Sequence, residues 1–330
     1  MKKRALTRGG RRMVGRARSS AGALLALGSL LGVTMSPSVA NAATSKKVLG
    51  IVQITSTDLS TVQATQGATK AAEAAGWTVL TANAQGEPSK AIAAIQDYVT
   101  RHVTAIMTTV FESSTLEAGI KAANSAGIPV VSMAGGLAPG VAAAVDANAG
   151  AVVANALIQA MGGADRGSIL DYTYHPGLPC LLRGNAFNVI LSKYPKIKVT
   201  RHEINVENVP SDSETTASGW LQTKPAAPLG IFGCYDDPAI GAIPALKAQG
   251  YKPGQVKVFG FNAEAPALTA IKQGWMTGSM FFDSVGAGVT VFDTIEKILA
   301  AGSHWKQEEL QIPHQLVDKA NLAAFEKAHG

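Results

Sequence analysis

Four short runs between Val48 and Met133 decide the fold: VLGIVQI (48–54), TVLTA (78–82), AIMTTV (105–110) and IPVVSM (128–133). They are rich in β-branched residues and alternate with Ala-rich segments of helical period, most of which end at a glycine. An apolar run too short for a helix and without polar alternation reads as a strand buried on both faces. Such strands alternating with helices specify a parallel, doubly wound α/β sheet. The same grammar restarts after Asn148 with SILDYTY (168–174), IKVTRHEI (197–204), LGIFGC (229–234) and VKVFGF (256–261). Two α/β lobes in tandem imply a cleft between them.

The first 42 residues hold eight Lys or Arg and no Asp or Glu, then an apolar stretch from Ala21 to Met35 and the small-residue site Ala40-Asn41-Ala42. This is the pattern of a secretory signal peptide, with cleavage expected after Ala42. The surroundings of Arg11-Arg12 match a twin-arginine signal poorly, which favours the general secretion pathway. No cysteine lies at the cleavage site to carry a lipid anchor. The formal charge of +6 belongs to this leader, because removing its eight basic residues leaves 21 against 23 acidic, a net −2. No basic patch remains for nucleic acid. The remaining 288 residues suit two domains, and a charged content of 16%, against a usual ~25%, fits densely packed α/β layers.

Residues 43–147 with 282–310 are expected to form an N-terminal lobe, and 148–281 with 311–330 a C-terminal one. A long amphipathic helix, Ser284 to Ala301, would pack back on the first lobe, and the tail from Gln311 would cross again. Three crossings make a hinge. Ser89 reads as a helix N-cap, Ser114 to Glu117 as a capping box, and Asp237 as an N-cap ahead of Pro238.

The element order and several phrases resemble the type I periplasmic solute-binding proteins, in the branch of ribose-type sugar receptors of ABC importers. The phrases are LGIVQITSTDLSTVQATQGA (49–68), AANSAGIPVVSM (122–133), FGCYDDPAIGA (232–242), VFGFNAEAPALTAIKQG (258–274) and GSMFFDSVGAGV (278–289). The resemblance implies a periplasmic, monomeric protein without cofactor. It would trap a small organic solute, sugar-like or otherwise polar or aromatic, and present it to a permease driven by an ATPase subunit. A membrane sensor reading the closed form is the alternative partner.

The ligand residues depart from the family pattern. Where sugar receptors follow the first strand with Asn and two aromatics, this chain has Asp58, Leu59, Ser60 and Thr61; the usual Asp-Arg after the IPV strand is Ala134-Gly135. The Asn of the family's N-D-x-x-A-x-G phrase is Tyr235, with the next Asp kept as Asp236, and the Asp of G-F-D is Asn262. The family's Gln at the second crossing falls at or near Met280, and its Arg near Leu181, close to Arg183. Fewer charged partners and more aromatic surface point to a ligand with fewer hydroxyls than an aldopyranose, such as a deoxy or modified sugar, a short polyol or a small aromatic alcohol.

Ligands of doubly wound sheets sit at the C-terminal ends of the strands. That rule, with the resemblance, selects Asp58, Ser60, Thr61, Thr109, Phe111, Gly135, Tyr172, His175, Arg183, Tyr235, Asp236, Asn262 and Phe282 as candidate ligand contacts. The competing readings are a structural carboxylate for Asp236, a turn residue for Asn262, and a loop residue for His175, which precedes Pro176. The six histidines lack ligand spacing, so no metal site is expected. No G-x-S-x-G, P-loop or dinucleotide fingerprint stands in a strand-to-helix context. A secreted enzyme using Asp236 and His175 would lack a nucleophile, metal or cofactor beside them. Cys180 and Cys234, the only cysteines, fall just beyond strands expected to be neighbours in the second sheet, so a disulfide is favoured in an oxidising compartment.

Overall fold

The computed structural model describes residues 46–146 and 148–329; the signal peptide and its cleavage site lie outside the described residues. The first part of the chain runs β1 (Val48–Gln53), α1 (Leu59–Ala74), β2 (Thr78–Asn83), α2 (Pro88–Thr100), β3 (Ala105–Thr109), α3 (Glu117–Ser125), β4 (Val130–Met133) and β5 (Val141–Asp146). There follow α4 (Gly150–Ala160), β6 (Ser168–Thr173), α5 (Leu178–Leu191), β7 (Lys198–Glu203), α6 (Val209–Gln222), β8 (Leu229–Gly233), α7 (Asp236–Gly241) and α8 (Ile243–Ala248). The chain ends with β9 (Val256–Asn262), α9 (Ala265–Lys272), β10 (Gly278–Phe282), α10 (Ser284–Ala301), β11 (Glu308–Gln311), β12 (His314–Asp318) and α11 (Leu322–His329).

Two six-stranded sheets result, ordered β11-β5-β4-β3-β1-β2 and β12-β10-β9-β8-β6-β7. All pairings are parallel except β10 with β12. The first strand of each lobe sits inside its sheet, as in β1, where Ile51 pairs with both Thr81 and Met107. The chain passes between the sheets three times: after Asp146, at Asp283, and between Gln311 and His314. The α/β fold of two doubly wound lobes with a three-crossing hinge is therefore the one expected.

Burial on both faces holds for the interior strands; β3, β4, β6 and β8 are buried along their whole length. It fails for β2 and β7, in which half-buried residues mix with exposed ones and none is buried. These are edge strands, each covered by one sheet neighbour, and Lys198, Thr200, Arg201 and Glu203 of β7 face water at no desolvation cost.

Helix α1 begins where the Asp58 side chain accepts from the Thr61 amide at 2.7 Å. It buries Ala64, Ala68 and Ala72, and α10 answers with Ala287, Gly288, Val291, Phe292, Ile295 and Ile298 at helical spacing. The two helices approach so closely that a Cβ at Gly288 would strike the Ala64 carbonyl. Phe292 closes this layer edge-on against Trp77, with ring centroids 5.2 Å apart.

Three expected caps are corrected. Glu87 is the N-cap residue of α2, because Pro88 takes the first helical position and leaves Ser89 inside. Ser113–Leu116 winds as a 3-10 turn before α3, so Ser114 makes no capping box. Tyr235, extended at φ −151°, caps α7 in place of Asp237, which lies in its first turn with Asp236. Of these three helix starts, only that of α7 reaches the cleft, through Tyr235.

Candidate functional site

Between the sheets lies a cleft lined by seventeen residues. Its walls come from both sheets and the hinge: Ile54, Thr55, Asp58 and Ser60 after β1, Val110 after β3, and Met133 with Ala134 at the end of β4. The second sheet supplies Tyr174 after β6, Pro179 and Arg183 from α5, Val206, Tyr235 and Asn262, and the crossings supply Phe282, Ser284, Ala287 and Ile312.

Three wall residues at strand tips carry positive φ without being glycine: Val110 at 65°, Ala134 at 60° and Asn262 at 100°. Asn tolerates this region; a β-branched valine does not without support. Val110 is held by its own amide, which donates to the Met133 carbonyl at 2.7 Å, and by its carbonyl, which accepts from the Leu178 amide at 2.9 Å. Backbone strain thus gathers at the cleft.

The lobes are closed on one another. Thr55 Oγ1 donates to Glu207 Oε1 at 2.8 Å, Thr57 Oγ1 to the Val206 carbonyl at 2.8 Å, and the Tyr174 hydroxyl to the Gly86 carbonyl at 3.1 Å. Phe111 and Gly177 form an antiparallel bridge across the same seam.

Arg183 is the buried cation of the site, 4% exposed. Its guanidinium lies over the rings of Phe261 at 4.3 Å and Phe282 at 5.4 Å, and Nη1 donates to the Cys234 carbonyl at 2.6 Å. Burial lowers its pKa to about 10, while Asp236, Asp146 and Asp58 act against that. It stays charged at neutral pH. Cys180 and Cys234 are joined by a disulfide, with Cα atoms 4.9 Å apart.

Of the candidate contacts, Asp58, Ser60, Arg183, Tyr235, Asn262 and Phe282 stand in the cavity wall, and the others do not. Thr61 is buried beneath Asp58, its amide the partner of that carboxylate. Thr109 Oγ1 accepts from the Ile54 amide at 3.0 Å and ties two strand ends together. Phe111 is core at the lobe seam, and the Gly135 amide donates to Ser132 Oγ at 3.0 Å behind the wall. The Tyr172 hydroxyl donates to the Ser213 carbonyl at 2.6 Å in the interior of the second lobe. His175 is exposed, pairs with Glu203, and lines a separate, smaller cavity with Asp171 and Arg201.

Asp236 is fully buried behind the wall. It accepts from Ser279 Oγ at 2.6 Å and from the Glu264 amide at 3.1 Å, and so binds β10 to the start of α9. Burial pushes it up to about 8 against those two hydrogen bonds. Glu264 rises to about 10 and Asp237 to about 7, each through burial first and then neighbouring carboxylates. An N-cap at Asp237 would leave Asp236 facing the cleft; α7 starts two residues earlier, with Tyr235 as N-cap, and the Asp236 carboxylate turns inward.

The wall also holds residues that strand-tip reasoning passed over. Ile54, Thr55, Val110 and Met133 lie at ends of first-lobe strands, where a positional rule could have found them; Val206 and Ile312 lie in loops without any such signal.

Residues 35–303 match the model of the periplasmic binding protein domain. The chain belongs to the periplasmic binding protein family. The chain is 40% identical over 91 residues to a putative rhizopine-binding protein of Rhizobium meliloti, a match that covers 28% of the chain and only 29% of that relative. It is 26% identical over 278 residues to the ribose import binding protein RbsB of Salmonella typhimurium, covering 80% of the chain and 90% of that protein. Among solved structures, an ABC transporter solute-binding protein from Agrobacterium vitis with bound allitol has a TM-score of 0.78 at 19% identity, covering 86% of this chain and 99% of that one. One from Bacillus halodurans with bound myo-inositol has a TM-score of 0.74 at 21% identity, covering 86% and 98%. These structures share the fold of this periplasmic binding protein.

Proposed function

We propose that this protein captures one small organic solute between its two lobes and delivers it to an ABC permease and its ATPase subunit, without making or breaking a bond. The carrying observation is the cavity whose walls come from both sheets and the hinge, sealed by hydrogen bonds that exist only when the lobes meet. A ligand touching both walls stabilises the closed state alone. Residues 1–42 act as a cleaved export signal, 43–147 with 282–310 and 148–281 with 311–330 move as two lobes, and the protein works as a monomer. Asp58, Ser60, Arg183, Tyr235, Asn262 and Phe282 contact the solute. A thermal-shift screen over sugars, polyols and small ring alcohols identifies binders, and solution scattering on the leading one tests closure. The radius of gyration falls at saturation; an unchanged profile with a proven ligand overturns the capture mechanism.

A further inference from the structure

The cleft's polar inventory limits what it can hold. Nine of the seventeen wall residues, including Ile54, Val110, Met133, Val206, Phe282 and Ile312, have hydrocarbon or thioether side chains. The Tyr174 and Tyr235 rings extend this surface. Several polar side chains on the wall already give their hydrogens to the protein. Thr55 donates to Glu207, Ser60 to Asp58 Oδ2 at 2.8 Å, and Tyr174 to Gly86. Asp58 Oδ2 also accepts from the Thr61 amide, which leaves Oδ1 for a ligand. Near it on the wall stand Tyr235, whose ionisation Asp58 biases, and Asn262, whose Nδ2 also donates to Glu264 Oε1 at 3.5 Å, while Arg183 gives Nη1 to the Cys234 carbonyl.

A polyhydroxylated ring carries a hydroxyl on nearly every carbon, and each one buried without a partner costs about 1–3 kcal/mol. A wall whose Thr55, Ser60, Tyr174 and Arg183 already donate within the protein, with Asp58 Oδ1 left to accept and hydrocarbon over about half of its residues, suits the opposite ligand. Building on the reading of this cleft as the solute site, we infer that its ligand is a small ring compound, alicyclic or aromatic, with one or two hydroxyls at one edge and hydrocarbon surface elsewhere. The hydroxyl edge meets Asp58, Tyr235 and Asn262, and the hydrocarbon body meets Ile54, Val110, Val206 and Phe282.

A series differing in hydroxyl count tests this: benzyl alcohol, cyclohexanol, cis-cyclohexane-1,2-diol, myo-inositol and ribose, each titrated calorimetrically into the mature protein at three temperatures. The mono- and dihydroxy compounds are expected to bind at least ten-fold more tightly than myo-inositol or ribose, with a negative heat-capacity change from apolar burial. Equal or tighter binding of myo-inositol or ribose overturns the inference, as does silence from the first three compounds or a heat-capacity change near zero. Scattering separates the two levels. Closure around ribose or myo-inositol leaves solute capture standing while removing this ligand class, whereas a bound ring alcohol that fails to close the lobes removes the capture mechanism.

Discussion

Arg183 donates from Nη1 to the Cys234 carbonyl at 2.6 Å, and Cys234 is disulfide-bonded to Cys180, three residues before Arg183 on the same helix. Covalent and hydrogen bonds together clamp the start of α5 to the end of β8. Pro179 and Arg183 on one side of the clamp and Tyr235 on the other all line the cavity. The disulfide therefore braces the cavity wall as well as the fold.

Replacing both cysteines by serine is expected to cost about 4 kcal/mol of stability in the chain-entropy model for a separation of 54 residues. Ligand affinity should fall with it, because Arg183 and Tyr235 lose their shared anchor. Urea denaturation and calorimetry of the double variant check both effects; unchanged affinity would show that the hydrogen bond to the Cys234 carbonyl suffices alone.

Removing the latch across the cleft should weaken binding without unfolding either lobe. Thr55→Val deletes the hydrogen bond to Glu207 and keeps the shape of the side chain. The expected loss is about 1 kcal/mol, or roughly five-fold in Kd. Scattering of the unliganded variant should show a more open average shape, and a wild-type profile with wild-type affinity would contradict the latch.

Stability should decline from pH 5 to pH 8. Asp236 is raised to about 8 and Asp237 to about 7 in the folded protein, so between the ordinary carboxylate range and those values the folded state binds more protons than the unfolded one. Unfolding then becomes easier as pH rises, by on the order of 1 kcal/mol per pH unit for each such group at most. Asp236→Asn removes one of these protons and should flatten the dependence in denaturation curves taken at pH 5, 6.5 and 8. An identical slope in the variant would place the titration elsewhere.

Gly288→Ala tests the contact of α1 with α10. A methyl there meets the Ala64 carbonyl, so the helices must separate. The expected cost is about 1–3 kcal/mol, read as a lower denaturation midpoint; an unchanged midpoint would mean that the layer yields freely.

The α/β character, the repeat of one lobe plan and the returning helix Ser284–Ala301 were legible in the sequence because each depends on local periodicity. A run such as AIMTTV is too short to hide apolar residues in a helix, and the buried stripe of α10 recurs every three or four residues. Burial at the edges was not legible. TVLTA and VKVFGF look alike as strings, yet β2 has one neighbour and β9 two.

The cleft divides along the same line. Asp58, Ser60, Tyr235, Asn262 and Phe282 could be named because strand ends, helix starts and crossings are sequence-local features, whereas Arg183, inside α5, was named through the family resemblance. Whether a side chain at such a point faces the cavity or the interior is a matter of angle, and a helix start displaced by two residues turns a side chain by about 200°. That displacement sent Asp236 inward to Ser279 and Glu264. Tyr172, on β6, points to the opposite side of its sheet and meets Ser213. Sequence alone determined which elements form and which ends converge on the cleft, since both follow from local hydrophobic pattern and chain connectivity. Tertiary structure alone decided which atoms at those ends remain for a ligand, because hydrogen bonds such as Thr55 to Glu207 join residues 152 positions apart that no local pattern relates.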